Sequence, residues 1–132
     1  MKQEIKDRWV KALESGEYDQ TKGYLHDEDG YCCLGVLCEI AKADGVLAFD
    51  ADENTYVSAT DKRDYSDVTL PRAVLAWADM SDSAPVSPIQ YTYEDGTLRP
   101  GTRPFAHYSE LNDDMDFDFK KIAEVIKNDP NL

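Results

Sequence analysis

Tyr31-Cys32-Cys33-Leu34-Gly35-Val36-Leu37-Cys38-Glu39-Ile40-Ala41-Lys42-Ala43-Asp44-Gly45 is the stretch on which the reading of this chain turns. Between Leu34 and Ala43 the apolar positions are Leu34, Val36, Leu37, Cys38, Ile40, Ala41 and Ala43, and only Glu39 and Lys42 are charged. A helix that is apolar on nearly every face is one packed by neighbours on several sides. The stretch is therefore read as the buried central helix of the fold, closed by Asp44-Gly45. Gly35 in its first turn would weaken a free helix by up to about 1 kcal/mol relative to Ala, so a neighbour is expected to pack tightly against it.

Working outward, Lys2 to Ser15 reads as an amphipathic helix with Ile5, Trp9, Val10, Ala12 and Leu13 on one stripe and Gly16 as its stop. Trp9 is expected to anchor the core. Asp27-Glu28-Asp29-Gly30 is a turn signal between Tyr24-Leu25 and Tyr31-Cys32, which predicts a short hairpin and leaves His26 beside a surface loop. Residues 47 to 67 are polar and acidic, with Thr55 to Ser58 as the best strand there. Pro71 suits the first turn of a short helix from Arg72 to Ala78. Ile89, Tyr91 and Tyr93 alternate with Gln90 and Thr92 as a half-buried strand, and Asp95-Gly96 would turn it back through Thr97 to Arg99, with Pro100 and Pro104 ending the pairing. A last helix runs from Phe119 to Lys127, with Asp118 as its N-cap. Helices and short hairpins in this order give a single α+β domain over residues 1–132, with about four helices, rather than a parallel βαβ sheet.

Composition limits the functions available. The 132 residues suffice for one ordinary hydrophobic core without metal or disulfide support. Twenty-seven acidic residues face fourteen Lys and Arg, a net charge of -13. Such a surface repels nucleic-acid phosphates and anionic lipid, so neither direct nucleic-acid binding nor membrane binding is expected. The longest basic runs are the pairs Lys62-Arg63 and Lys120-Lys121. A basic protein is the partner this charge favours, including one that otherwise holds nucleic acid. Three cysteines, an odd number, and an N-terminus without an apolar targeting core point to a reducing cytoplasm.

Three segments together carry a resemblance. They are Trp9 to Gln20 (WVKALESGEYDQ), Tyr31 to Cys38 (YCCLGVLC), and Leu111-Asn112-Asp113 followed by Phe119 to Ile126 (FKKIAEVI). The pattern resembles a group of small proteins of tailed phages and prophages. That resemblance implies an accessory protein acting in the host cytoplasm on host machinery or host defence. It supplies no chemistry of its own.

Several residues suggest chemistry. Cys33 just ahead of a helix is placed to have a lowered thiol pKa, and as a nucleophile it would need His107 with Asp113 or Asn112. Cys32, Cys33, Cys38 and His26 are four zinc-type ligands but lack a C-x-x-C pair, so no metal or other cofactor is assigned. Asp50, Asp52, Asn54 and Asp61 have part of the spacing of a calcium loop, without its Gly and closing Glu, and Asp114, Asp116 and Asp118 alternate in the same incomplete way. The amides near Cys33 to Gly35 could hold an anion such as the phosphate of a small signalling nucleotide, with Tyr18, Tyr24 or Tyr31 stacking on its base. Asn112-Asp113 suits a cap, or a partner for the amides of Cys33 and Leu34. The leading expectation is a non-catalytic protein that meets a host protein through Asp113, Asp114 and Asp116, with Asp50, Asp52 and Glu53 as a second patch.

Overall fold

Five helices and seven short strands alternate along the chain, described over residues 1–132 by a computed structural model. In order they are α1 (Gln3–Glu14), β1 (His26–Asp27), β2 (Gly30–Tyr31), α2 (Cys33–Ala43), β3 (Leu47–Asp50), β4 (Thr55–Ser58), β5 (Tyr65–Ser66), α3 (Arg72–Ala78), β6 (Val86–Gln90), β7 (Phe105–His107), α4 (Tyr108–Asp113) and α5 (Phe119–Lys127). The strands form three separate antiparallel groups: β1-β2, β3-β4-β5 and β6-β7. The fold is α+β.

The centre belongs to α2, where Cys33 to Cys38, Ile40 and Ala41 are all buried. Around it pack α1, α3, α4, β2 and β3. Trp9 is fully buried, and its indole Nε1 donates to the carbonyl of Cys33 at 2.9 Å, so the anchor of α1 also satisfies the backbone at the start of α2. Asp44, just past α2, accepts both Arg8 guanidinium nitrogens (2.8 and 2.9 Å) and the Trp77 indole (3.2 Å), which ties the middle of α1 to the ends of α2 and α3. A buried polar link closes the molecule. The Lys6 ammonium donates to the Asp129 carbonyl at 2.9 Å, and the Tyr108 hydroxyl donates to the Asp129 carboxylate at 2.6 Å. Lys6, Tyr108 and Asp129 are all buried, so each needs its partner, and together they lock the C-terminal turn onto α1.

Where sequence periodicity and the structure part, the reasons are local. β3 lies in the acidic stretch beside the predicted β4, and its inward side chains, Leu47 and Phe49, are too few to make a pattern. Pro71 precedes α3 instead of opening its first turn. The free amides of Arg72 and Ala73 are taken by the distant Asp64 carboxylate, at 2.8 Å each. The predicted strand around Ile89 to Tyr93 is displaced, the strand instead spanning Val86–Gln90. Pro88 lacks an amide and makes β6 irregular between Val86 and Gln90, while pairing resumes after Pro104 at Phe105. Beyond Gln90 the hairpin narrows to the single bridge Thr92–Leu98 and the expected turn at Gly96. α4 lies outside the sequence expectation. The Glu110 carboxylate caps it by accepting the His107 N–H at 3.0 Å, and its Tyr108 and Leu111 are buried.

Candidate functional site

The cysteine site is dry. Cys33 is fully buried, and its thiol donates to the Tyr108 carbonyl at 3.5 Å. Burial pushes its pKa well above the ordinary thiol value, and the nearby Cys32 and Asp113 add to that. The expected lowering at a helix N-terminus is thus reversed, because the desolvation of a thiolate outweighs the helix amides. Those amides are used by Cys32, whose sulfur caps α2 by accepting from the Gly35 N–H at 3.4 Å; burial nevertheless pushes the Cys32 thiol up to about 11. His107 turns its Nδ1 to Glu110 at 2.9 Å, and Asp113 accepts from the Asn112 amide at 2.7 Å. Cys33, His107 and Asp113 therefore each hold a different partner. Iodoacetamide near neutral pH is expected to leave all three thiols free in the native protein and to alkylate them only in denaturant, read by intact-mass spectrometry. Stoichiometric modification of native Cys33 would contradict this placement.

No three His, Cys, Asp or Glu side chains converge as a metal-holding group. His26 lies in β1 rather than beside a free loop, with its Nδ1 at 2.7 Å from the Gly30 carbonyl and its ring stacked 3.9 Å from that of Tyr31. Asp50 accepts the amides of Asp52 (3.0 Å) and Glu53 (3.4 Å), so the calcium-like spacing is the turn between β3 and β4. Asp118 caps α5 through the Lys121 amide at 2.8 Å. The start of α2 is equally occupied. An added Cβ at Gly35 would stand 1.7 Å from the Leu25 carbonyl, so backbone fills the place considered for a phosphate. Tyr18 packs edge-on against Tyr31 at 5.2 Å.

Asn112 is fully buried inside α4, and it does not reach the amides of α2. Its side-chain amide donates to the Thr21 carbonyl (2.8 Å) and to Asp113, and its oxygen accepts from Gln20 (2.8 Å). Gln20 also donates to the Phe117 carbonyl at 2.8 Å. This knot around the buried Asn112 fixes the segment after α1 against the turn between α4 and α5.

The acidic residues on that turn do come together. Asp113, Asp114 and Asp116 line a recess of about 390 Å3 with Lys22, Glu94 and the hairpin residues Tyr91, Thr92 and Tyr93. Tyr91 and Tyr93 meet edge to face at 5.2 Å, and the Tyr91 hydroxyl donates to Asp114 at 3.4 Å. Arg99 lies 3.8 Å over the Tyr91 ring and pairs with Glu110. For Glu110, burial works upward, but Arg99 and the His107 N–H and ring outweigh it and hold the carboxyl down at about 2. That latch sets the hairpin against α4. Lys22 pairs with Asp116, and its pKa is raised by that bond and by Asp113 and Asp114. The sequence singled out the three aspartates but not Tyr91, Tyr93 or Glu94. Only the long hairpin brings them across, and their one sequence signal was the two-residue spacing of the tyrosines.

The second acidic patch divides. Asp50 and Glu53 line a recess of about 510 Å3 with Thr55, Val57, Lys62 and Tyr65, and Asp52 lies outside it. No helix is long and apolar enough to cross a membrane.

These features define a small α+β domain with a dry cysteine-bearing centre and an acidic, tyrosine-walled recess. The chain belongs to the family described as Domain of unknown function (DUF8296), which it matches over residues 1–130. No curated protein and no solved structure matches it.

Proposed function

We propose that the chain is a non-catalytic accessory protein of tailed phages or prophages that binds a basic host protein through the recess of Asp113, Asp114 and Asp116. The observation that carries this reading is the joining of those carboxylates and Glu94 to the half-buried Tyr91 and the exposed Tyr93 in one concave place. Guanidinium and ammonium groups are attracted both by carboxylates and by aromatic faces, so such a wall suits Arg and Lys side chains. Arg99 over Tyr91 illustrates that chemistry within the chain itself. The net charge of -13 would steer a basic partner, such as a host protein that otherwise holds nucleic acid, and the association would slow as salt rises. Action against host defence in the cytoplasm fits the same reading.

The test compares the wild type with the triple variant Asp113→Asn, Asp114→Asn, Asp116→Asn as baits in host lysate at low and moderate salt. A protein retained by the wild type is then purified and its association kinetics are measured. The triple variant is expected to associate roughly tenfold more slowly, through the loss of steering charge. Equal kinetics for both baits, or no retained protein at either salt, count against the proposal.

A further inference from the structure

We infer that the outer face of the three-stranded sheet is a docking surface for a second copy of this chain. The register places Ala48 opposite Val57, and Val57 opposite Tyr65, so these three side chains form one row across β3, β4 and β5. Alternation along the strands turns this row outward, since Leu47, Tyr56 and Ser58 are the buried members. Tyr65 stands 65% exposed, the highest value among the large hydrophobic residues left exposed. Val57 and Tyr65 line the recess of about 510 Å3 on this face.

Charge identifies the occupant. Asp50 and Glu53 stand at the end of the sheet where β3 turns into β4, and Lys62 stands at the other end, in the connection from β4 to β5. A uniformly basic partner would meet Lys62 unfavourably, and a uniformly acidic one would meet Asp50 and Glu53. The surface that satisfies both ends carries the same pattern reversed end for end, which is this face turned over. A two-fold axis along the Ala48–Val57–Tyr65 row produces that arrangement. It lays apolar row on apolar row, sets the two Tyr65 rings against each other, and sets Lys62 of each copy over Asp50 and Glu53 of the other. Isologous contacts of this kind repeat each pairing twice, and stacked sheets bury side chains between them in this way. This inference is independent of the acidic recess on the hairpin side.

Sedimentation equilibrium at about physiological ionic strength, where distant charge repulsion is screened, tests it. The single chain has a mass of 14.9 kDa, and the wild type is expected to approach twice that as concentration rises. Lys62→Glu, and the double variant Asp50→Lys with Glu53→Lys, each place like charges together twice in a self-pair, so each alone is expected to remain a single chain. Mixed in equal amounts they pair opposite charges at both ends, and the doubled mass is expected to return. Tyr65→Ser, which keeps every charge, is also expected to remain a single chain. A wild type that stays at the single-chain mass, a mixture that fails to associate, or a Lys62→Glu or Tyr65→Ser chain that associates as the wild type does would each overturn the inference.

Discussion

Gly35→Ala is expected to destabilise the protein by more than ~3 kcal/mol, seen as a melting temperature lowered by more than roughly 10 °C or as failure to fold. The new Cβ would lie 1.7 Å from the carbonyl oxygen of Leu25 and 2.6 Å from its carbonyl carbon. Backbone is the obstacle, so no rotamer change relieves it. That carbonyl is also held, because it accepts the Cys32 amide at 3.1 Å, and the Leu25 side chain is fully buried. Either Leu25 leaves its place or α2 tilts away, and each breaks the centre of the fold. Gly16→Ala is the control. Gly16 has φ 76 and open space around it, so its cost is the left-handed backbone alone, about 1–2 kcal/mol. Thermal melts followed by circular dichroism separate the two. A Gly35→Ala protein melting within a few degrees of the wild type would show that the loop ahead of β1 yields, and that α2 is not clamped as described.

That clamp was visible in the sequence as a misplaced residue: a glycine in the first turn of a strongly apolar helix. The same kind of signal made α1, α2, α3 and α5 legible, since each carries a helical stripe or a terminal residue that depends only on near neighbours. α4 and β3 were not legible, because both are too short for their patterns to stand out and both are stabilised from a distance. The inward members of β3 are only Leu47 and Phe49, and α4 is held partly by Asn112 reaching back to Thr21. Asp64 capping α3 from outside the helix is a further example, invisible to any reading of the residues next to Pro71.

For the candidate site the division is similar. Acidity is compositional, and the clustering of Asp113, Asp114 and Asp116 is sequential, so both could be read. The tyrosine wall needs the hairpin to cross to α4, and that crossing depends on Arg99 finding Glu110, a contact between residues on different elements. Cys33 shows the opposite error. Its place before a helix argued for a reactive thiol, and only burial decides whether the helix amides or the loss of water prevails. Here Trp9, Tyr108 and the neighbouring apolar side chains exclude water, and the thiol is held protonated.

Asn112→Ala is expected to cost roughly 2–4 kcal/mol, combining the cavity with buried polar groups left unpaired. Gln20 keeps its bond to Phe117, but the Thr21 carbonyl loses its side-chain donor, and Asp113 loses the bond that fixes it. Asn112→Asp separates polarity from shape. The two side chains are nearly the same size, yet a carboxylate cannot donate to Thr21, and it brings a second negative charge against Asp113. At neutral pH this variant is expected to be no more stable than Asn112→Ala. In the folded state, burial and the neighbouring Asp113 would raise the pKa of the new carboxyl above its unfolded value, so it takes up a proton there first as pH falls. Protonation restores a donor and removes the repulsion, and the gap to the wild type is expected to narrow in mildly acidic buffer. Asn112→Ala has no such group, and its gap should stay the same over that range. Parallel denaturant titrations of the wild type and both variants at neutral and mildly acidic pH measure this. A gap for Asn112→Asp that does not change with pH would mean that the amide's donors are not what holds the Gln20–Thr21 segment to the acidic turn. The three aspartates of the recess would then owe their positions to packing alone.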